Sequence, residues 1–388
     1  MDLDERIARR RRASRRSGLV AEWRALDPSA HVDEPIGRGA ALERLLDALD
    51  PVFEGGLPAD AYVYGPAGAG KSALVAALFD RLRAQFDRGD VIRTTTRASA
   101  GPRVAFAYVD ARRHATAFRL YGAVGEALVS TGMPERGVGT DELRERVGEA
   151  VAARDAVVVA VDHVDEPGSV PLSTLAETVG TLDGASWLAV GRSHPDSVSG
   201  ARPAASVHVA AYRSPALEDV LSTRASRGLR NGLDHDVARR IAAWADGNAH
   251  DALAATFGAA DAALSAGRSS LRSGDVDAGI RAVPRDGAPT SRVLSLSENR
   301  KCVLDALLAV PTGTTTTIAD AAEAVAARTD LSNTTVTRYL YELAEEGVLS
   351  RVPSERPDAD RRPSRVVPRF PTRVYRRLRA NAGAEAVS

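Results

Sequence analysis

The sequence predicts an α/β P-loop domain, followed by a small all-α unit and a C-terminal winged helix. Three observations predict it. Gly65 to Ser72 lie between a short apolar run and a helical pattern, the strand, loop and helix order of a phosphate-binding turn. Strand-like runs then stop near Ser214, and only helical periodicity continues to about Leu271. Beyond a stretch rich in Gly, Pro and Asp, three helical segments lead into an arginine- and proline-rich segment suited to a β wing.

The elements follow in order. Residues 1–18 carry seven arginines against three carboxylates and read as a basic tail without fixed structure. Leu42, Leu45, Leu46 and Leu49 mark a helix over 40–49, and Ala61 to Tyr64 a short strand. Leu74, Leu78, Phe79 and Leu82 continue the helix that starts at Lys71. The apolar runs 104–109, 156–161 and 187–190 are short and lack alternation, as buried parallel strands do. Helical spacing then takes over through Leu217 and Leu221, Val237 and Ile241, and Leu253 and Phe257. Residues 275–290 read as a linker, and helices are expected over 298–309, 318–327 and 333–346. The expected division is a base domain over 19–212, a helical lid over 213–275, a linker over 276–291 and a winged helix over 292–388. No internal repeat is visible.

Composition narrows the class. At 388 residues the chain exceeds what one hydrophobic core usually organises, and 26% charged against 44% apolar residues is ordinary for a folded protein. No run approaches 18 apolar residues, so no membrane partner is expected and a cytoplasmic, nucleoid-associated location is. The single Cys302 cannot form an internal disulfide, and no Cys/His cluster suggests zinc. Net charge is zero, but residues 351–380 hold ten arginines against three carboxylates, which makes both chain ends candidate polyanion surfaces.

Gly65-Pro66-Ala67-Gly68-Ala69-Gly70-Lys71-Ser72 fits G-x-x-x-x-G-K-[ST]. In that pattern the backbone N–H groups of Gly65, Gly68, Ala69 and Gly70 wrap phosphates, Lys71 reaches the β/γ-phosphates of ATP, and the Ser72 hydroxyl binds Mg²⁺. Asp162 closes the apolar strand at the sheet edge where α/β folds place ligands, and is assigned to the same Mg²⁺.

At the other end, the helix over 333–346 turns Val336, Tyr339, Leu340 and Leu343 inward, with Ser332 as N-cap and Gly347 as stop. Its opposite face shows Asn333, Thr334, Thr337, Arg338 and Tyr341, short polar groups suited to a DNA major groove. Arg356, Arg361, Arg362 and Arg365 fall in the expected wing, where they would meet a minor groove or phosphates, followed by Arg369 and Arg373.

Several stretches resemble the archaeal origin recognition complex / cell division control family of AAA+ replication initiators. They are Glu34-Pro35-Ile36-Gly37-Arg38, the P-loop, Tyr108-Val109-Asp110-Ala111-Arg112, Pro134 to Gly137, Ala211-Tyr212, Leu221 to Arg224, Gly247 to Leu253, and Ser297-Glu298-Asn299-Arg300. The resemblance implies an AAA+ base and lid followed by a winged helix, ATP or ADP with Mg²⁺ as ligands, and double-stranded origin DNA as partner. It also implies the replicative helicase and other initiator copies as partners. Carried over, Tyr212 and Arg224 line the nucleotide where base meets lid.

Departures from the family bear on catalysis. Asp162-His163 stands where the family has Asp-Glu, and an imidazole is a poorer base there than a carboxylate. Ser193 stands at the position of a γ-phosphate-sensing asparagine and His250 at that of a lid arginine. Nucleotide binding with slow or absent hydrolysis is therefore expected, Asp162 and His163 being the catalytic positions. For the arginine that a neighbouring subunit would contribute, Arg192 and Arg202 are the candidates. The rival expectations are a winged-helix transcription or plasmid-maintenance regulator with a degenerate AAA+ domain, and an ATPase acting on proteins.

Overall fold

The computed structural model describes residues 18–91, 101–129, 132–134, 137–198, 200–311, 316–354 and 363–385. Two compact units result: one spans His31–Tyr212, the other combines the residues up to Ala30 with those from Arg213 onward.

The first unit is a five-stranded parallel sheet of order β2-β3-β4-β1-β5, made of β1 (Ala61–Tyr64), β2 (Val104–Asp110), β3 (Ala156–Asp162), β4 (Ala185–Val190) and β5 (Ala205–His208). Every residue of β3 is buried, because the pleat sends alternate side chains into two separate cores. Val157, Val159 and Val161 join helices over Ala117–Leu128, Thr140–Ala152 and Leu172–Gly180 on one face. Ala156, Val158 and Ala160 join helices over Gly39–Leu49 and Lys71–Val91 on the other. The α/β expectation holds, with three of the four expected strands in the centre. Sequence reading missed β5, an edge strand of four residues with one buried side chain.

The second unit is helical apart from one hairpin. Helices Ser214–Gly228, His235–Ala245 and Ala249–Ser265 occupy the stretch 213–275. The boundary expected at residue 19 is corrected: residues 19–30 belong with this unit rather than with the base. Val20 bridges Leu229, the Trp23 and Phe257 rings pack at a tilt with centroids 4.5 Å apart, and Arg224 donates to the carbonyls of Ala25, Asp27 and Ala30. The expected linker is corrected too, because Ser273–Arg281 is a helix. Asp275 accepts from Arg272 N at 3.0 Å and from Arg268 Nε at 3.1 Å, which fixes the helix start. A Cβ on Gly279 would lie 2.2 Å from Ala255 O, so the Gly-rich composition reflects close helix packing and not a flexible tether.

The winged helix comprises helices Glu298–Ala309, Ile318–Ala326 and Asn333–Glu345, the hairpin β6 (Leu349–Pro353) and β7 (Ser364–Pro368), and a last helix Thr372–Glu385. Val303, Leu307, Val336, Leu340, Leu343, Phe370 and Tyr375 build its core. Among the described residues, no helix is long and apolar enough to cross a membrane.

Candidate functional site

The two candidate sites fall one in each unit. In the first, the P-loop leaves the C-terminal end of β1 and enters the helix at Lys71. Gly68 and Gly70 take positive φ of 68° and 74°, which turns successive N–H groups toward one side. Gly70 is required on a second ground: an added Cβ would stand 2.8 Å from the Tyr212 hydroxyl. Tyr212 thus abuts the loop, and its ring carries the Arg38 guanidinium at 3.5 Å. Arg38 is itself buried, with Nε and Nη2 lacking hydrogen-bond partners. Neither the Arg38 contact nor its burial was legible from sequence.

Lys71 Nζ donates to the carbonyls of Gly65 and Pro66, both at 2.8 Å. Burial brings its pKa down to about 8, against the opposing pull of Asp162 and with help from the positive charge of Arg192. A buried ammonium held this way gains strongly from an incoming phosphate.

Asp162 ends β3 at 1% exposure. It accepts from the Tyr108 hydroxyl at 2.5 Å and from His163 N at 2.8 Å. Ser72 and Asp162 supply hard oxygen donors, the set that suits Mg²⁺ and not a softer metal.

The expected catalytic position His163 adopts φ 67°, in the left-handed region, and its ring lies between two carboxylates. Nε2 is 3.5 Å from Asp162 Oδ2, and Nδ1 is 3.2 Å from Glu166 Oε1. Burial disfavours the charged ring, but Asp162 and Glu166 outweigh it and raise its pKa. Glu166 also takes Arg192 Nη2 at 2.6 Å, and Arg112 Nη1 stands 4.0 Å from its second oxygen. Burial would push the Glu166 pKa up; the bond to His163 and the charges of His163, Arg192 and Arg112 instead bring it down to about 2. Asp165 accepts from the backbone N–H groups of Arg192 at 2.5 Å and Ser193 at 2.7 Å. The carboxylates three and four residues past Asp162 therefore pin the loop after β4 and its arginine. Ser193 is positioned through its backbone, its carbonyl accepting from Tyr62 at 3.1 Å.

Arg224 and His250 belong to the second unit. The Arg224 guanidinium is occupied with the three carbonyls already named. His250 Nε2 accepts from Thr290 N at 2.9 Å, which requires that nitrogen to be unprotonated.

The helix expected to meet DNA starts at its N-cap Ser332, which accepts from Thr335 N at 3.2 Å. Val336, Leu340 and Leu343 are buried, and Asn333, Thr334, Arg338 and Tyr341 are exposed. Thr337 is half-buried and donates to Asn333 Oδ1 at 3.3 Å. Arg338 pairs with Glu342 at 3.0 Å, and Arg351 of β6 lies over the exposed Tyr341 ring at 5.0 Å. Arg365 sits on β7 opposite Val352. Arg356, Arg361 and Arg362 lie outside the described residues, as does the basic tail. The expectation of a polyanion surface over 351–380 needs correction at its end. Arg369 bonds Asp286 O, Arg373 and Arg377 pair with Asp261, Arg376 bonds Leu308 O, and Arg379 pairs with Asp305. Arg373, Arg376, Arg377 and Arg379 tie helices together, and Arg369 ties the end of β7 to a turn.

The AAA ATPase domain family matches residues 34–190. The chain is 28% identical over 224 residues to the ORC1-type DNA replication protein 1 of Aeropyrum pernix, covering 54% of each chain. It is likewise 28% identical over 241 residues to the ORC1-type DNA replication protein 1 of Archaeoglobus fulgidus, covering 58% of this chain and 54% of that one. The chain thus spans about half the length of the curated relatives it matches. Its fold is similar to that of the Aeropyrum pernix ORC1 protein in complex with DNA, with TM-score 0.62 at 22% identity over 95% of this chain and 99% of the other. The ADP form of the Aeropyrum pernix ORC2 protein is also similar, with TM-score 0.55 at 19% identity over 93% and 96%.

Proposed function

Since the chain carries an AAA ATPase domain and resembles the archaeal ORC1-type replication proteins in sequence and fold, we propose that it is an ATP- and ADP-binding initiator of DNA replication. On this reading it binds origin DNA through its winged helix and AAA+ domain, with nucleotide state altering the grip, and takes part in helicase recruitment. The observation that carries the reading is one chain holding both a P-loop backed by a buried carboxylate and an exposed polar helix beside a hairpin. The loop's N–H groups and Lys71 bind the phosphates. Ser72 and Asp162 would hold Mg²⁺, which would supply neutralisation of phosphate charge.

Hydrolysis is slow. The His163 ring is engaged by Asp162 and Glu166 and is not free for an attacking water. Glu166, held at about 2 and engaged with Arg192, is a weak base. Thr334, Thr337 and Arg338 face base edges in the major groove, while Arg365, with Arg356, Arg361 and Arg362, meets the DNA backbone or minor groove.

The same engaged carboxylates favour a second reading, a winged-helix regulator that binds nucleotide without turning it over. A direct test titrates the purified chain with ATP and ADP, then with a duplex from its own replication start region. Binding of both nucleotides, with DNA affinity differing between them, supports the initiator. Nucleotide binding without any effect on DNA affinity favours the regulator, and a wild-type chain that binds neither ATP nor ADP refutes both.

A further inference from the structure

We propose that Arg192 is the residue by which this chain distinguishes a nucleoside triphosphate from a diphosphate, and that Glu166 positions it. The inference rests on the nucleotide-binding reading above and gives Arg192 a role toward the nucleotide of its own chain, where the family resemblance makes it a candidate only for the arginine offered to a neighbouring subunit.

Sheet register places Arg192 beside the phosphate loop. Val63 pairs with Val190 across β1 and β4, and Gly191 N donates to Val63 O at 3.0 Å. Two residues past that pair stand Gly65, where the loop opens, and Arg192. The backbone at this point is fixed from two sides, by Asp165 through the N–H groups of Arg192 and Ser193 and by Tyr62 through the Ser193 carbonyl. Such a tether holds an arginine in place without using its guanidinium.

The guanidinium is held separately. Arg192 Nη2 stands 2.6 Å from Glu166 Oε1, and the Glu166 side chain is only 2% exposed while that of Arg192 is 41% exposed. The carboxylate is a buried anchor, and the arginine lies over it with much of its surface open. Lys71 Nζ bonds the Gly65 carbonyl at 2.8 Å, and Gly65 and Arg192 stand level past the Val63–Val190 pair, so two cations lie at the same C-terminal edge of the sheet. Their mutual repulsion is relieved by a polyanion. In a P-loop the backbone takes the α- and β-phosphates and the lysine reaches the β/γ pair, so a second cation past the lysine meets the terminal phosphate. A triphosphate gains that contact and a diphosphate does not. Arginine is suited to it, since its planar fork stays charged and offers two parallel donors to phosphate oxygens.

The test is a pair of equilibrium titrations with Mg²⁺, using ADP and the slowly hydrolysed analogue ATPγS. Wild type is compared with Arg192→Ala and with the double variant Arg192→Ala/Glu166→Gln, in which no buried carboxylate loses its partner. Both variants are expected to bind ATPγS about tenfold or more weakly than wild type, with ADP affinity changed less than twofold. Glu166→Gln alone, which leaves the arginine unanchored, is expected to lose part of the same preference. Equal weakening of both nucleotides, or an unchanged ATPγS-to-ADP ratio in the double variant, overturns the proposal and leaves nucleotide binding standing. A wild-type chain that binds neither ligand instead refutes the nucleotide reading.

Discussion

The two chemical regions use charge in opposite ways. At the edge of the parallel sheet, Asp162, His163, Glu166 and Arg112 form a largely buried network in which every member faces another, and Arg192 rests on it from the solvent side through Glu166. On the winged helix, Arg338 and Arg351 lie on exposed surface over tyrosine rings, and Arg338 has a single exposed ion pair. Buried charges fix geometry at a cost in desolvation, whereas exposed ones cost little and remain available to a polyanion. The C-terminal helix shows that position in sequence does not decide between these uses. Arg373 and Arg377 belong to the same basic stretch as Arg351, yet both are spent on Asp261.

Four experiments break or sharpen this contrast. The largest expected effect is from Leu340→Ala, which opens a cavity in the winged-helix core and costs about 2–5 kcal/mol there. DNA binding falls with it in a gel-shift assay, while ATP affinity stays as in wild type; loss of both would show that the two regions fold as one. Lys71→Ala does the converse, with ATP and ADP affinity down by about a hundredfold in a fluorescence titration and the urea midpoint of the winged helix unmoved.

The third experiment reads the buried network through pH. The Glu166 pKa lies at about 2 in the folded chain, below its ordinary 4.5, so its contribution is complete above pH 4.5 and is lost as pH falls toward 2. His163 is shifted upward, so its contribution is complete below pH 6.5 and is lost as pH rises through the folded value. Urea titrations of wild type should therefore lose stability on both flanks. Glu166→Gln should be less stable at pH 6 by about 1–3 kcal/mol and should flatten the acid flank, and an unchanged acid slope would mean the network is loosely held. The smallest effect is expected from Arg365→Ala. It should weaken DNA binding by about threefold to tenfold for any sequence and reduce the salt slope by about one, against no change if the hairpin stands off the DNA.

What was legible follows from how each feature is encoded. The P-loop is contiguous and works through its backbone, so Gly65 to Ser72 could be read directly. The helix Asn333–Glu345 was equally plain, since Val336, Leu340 and Leu343 mark its inner face and Ser332 its start. Arg192 and Glu166 were not legible as a pair. They lie 26 residues apart and meet because β3 and β4 are adjacent, a fact of sheet order that periodicity does not carry. The stretch 275–290 misled because Gly279 and Asp275 look like linker residues. One permits a close helix contact and the other caps a helix, roles that depend on Ala255 and Arg268 elsewhere in the chain. Residues 19–30 were assigned to the wrong unit for the same reason, their anchor being Arg224 nearly two hundred residues on.

The most direct test of the central claim is a crosslinking and sequencing map of where the protein sits on its own genome. An initiator gives one or a few sharp peaks at replication start sites, and these weaken in a strain carrying Lys71→Ala. Peaks spread over promoters, or no discrete peaks, would contradict the account and point to a regulator or to a partner other than DNA.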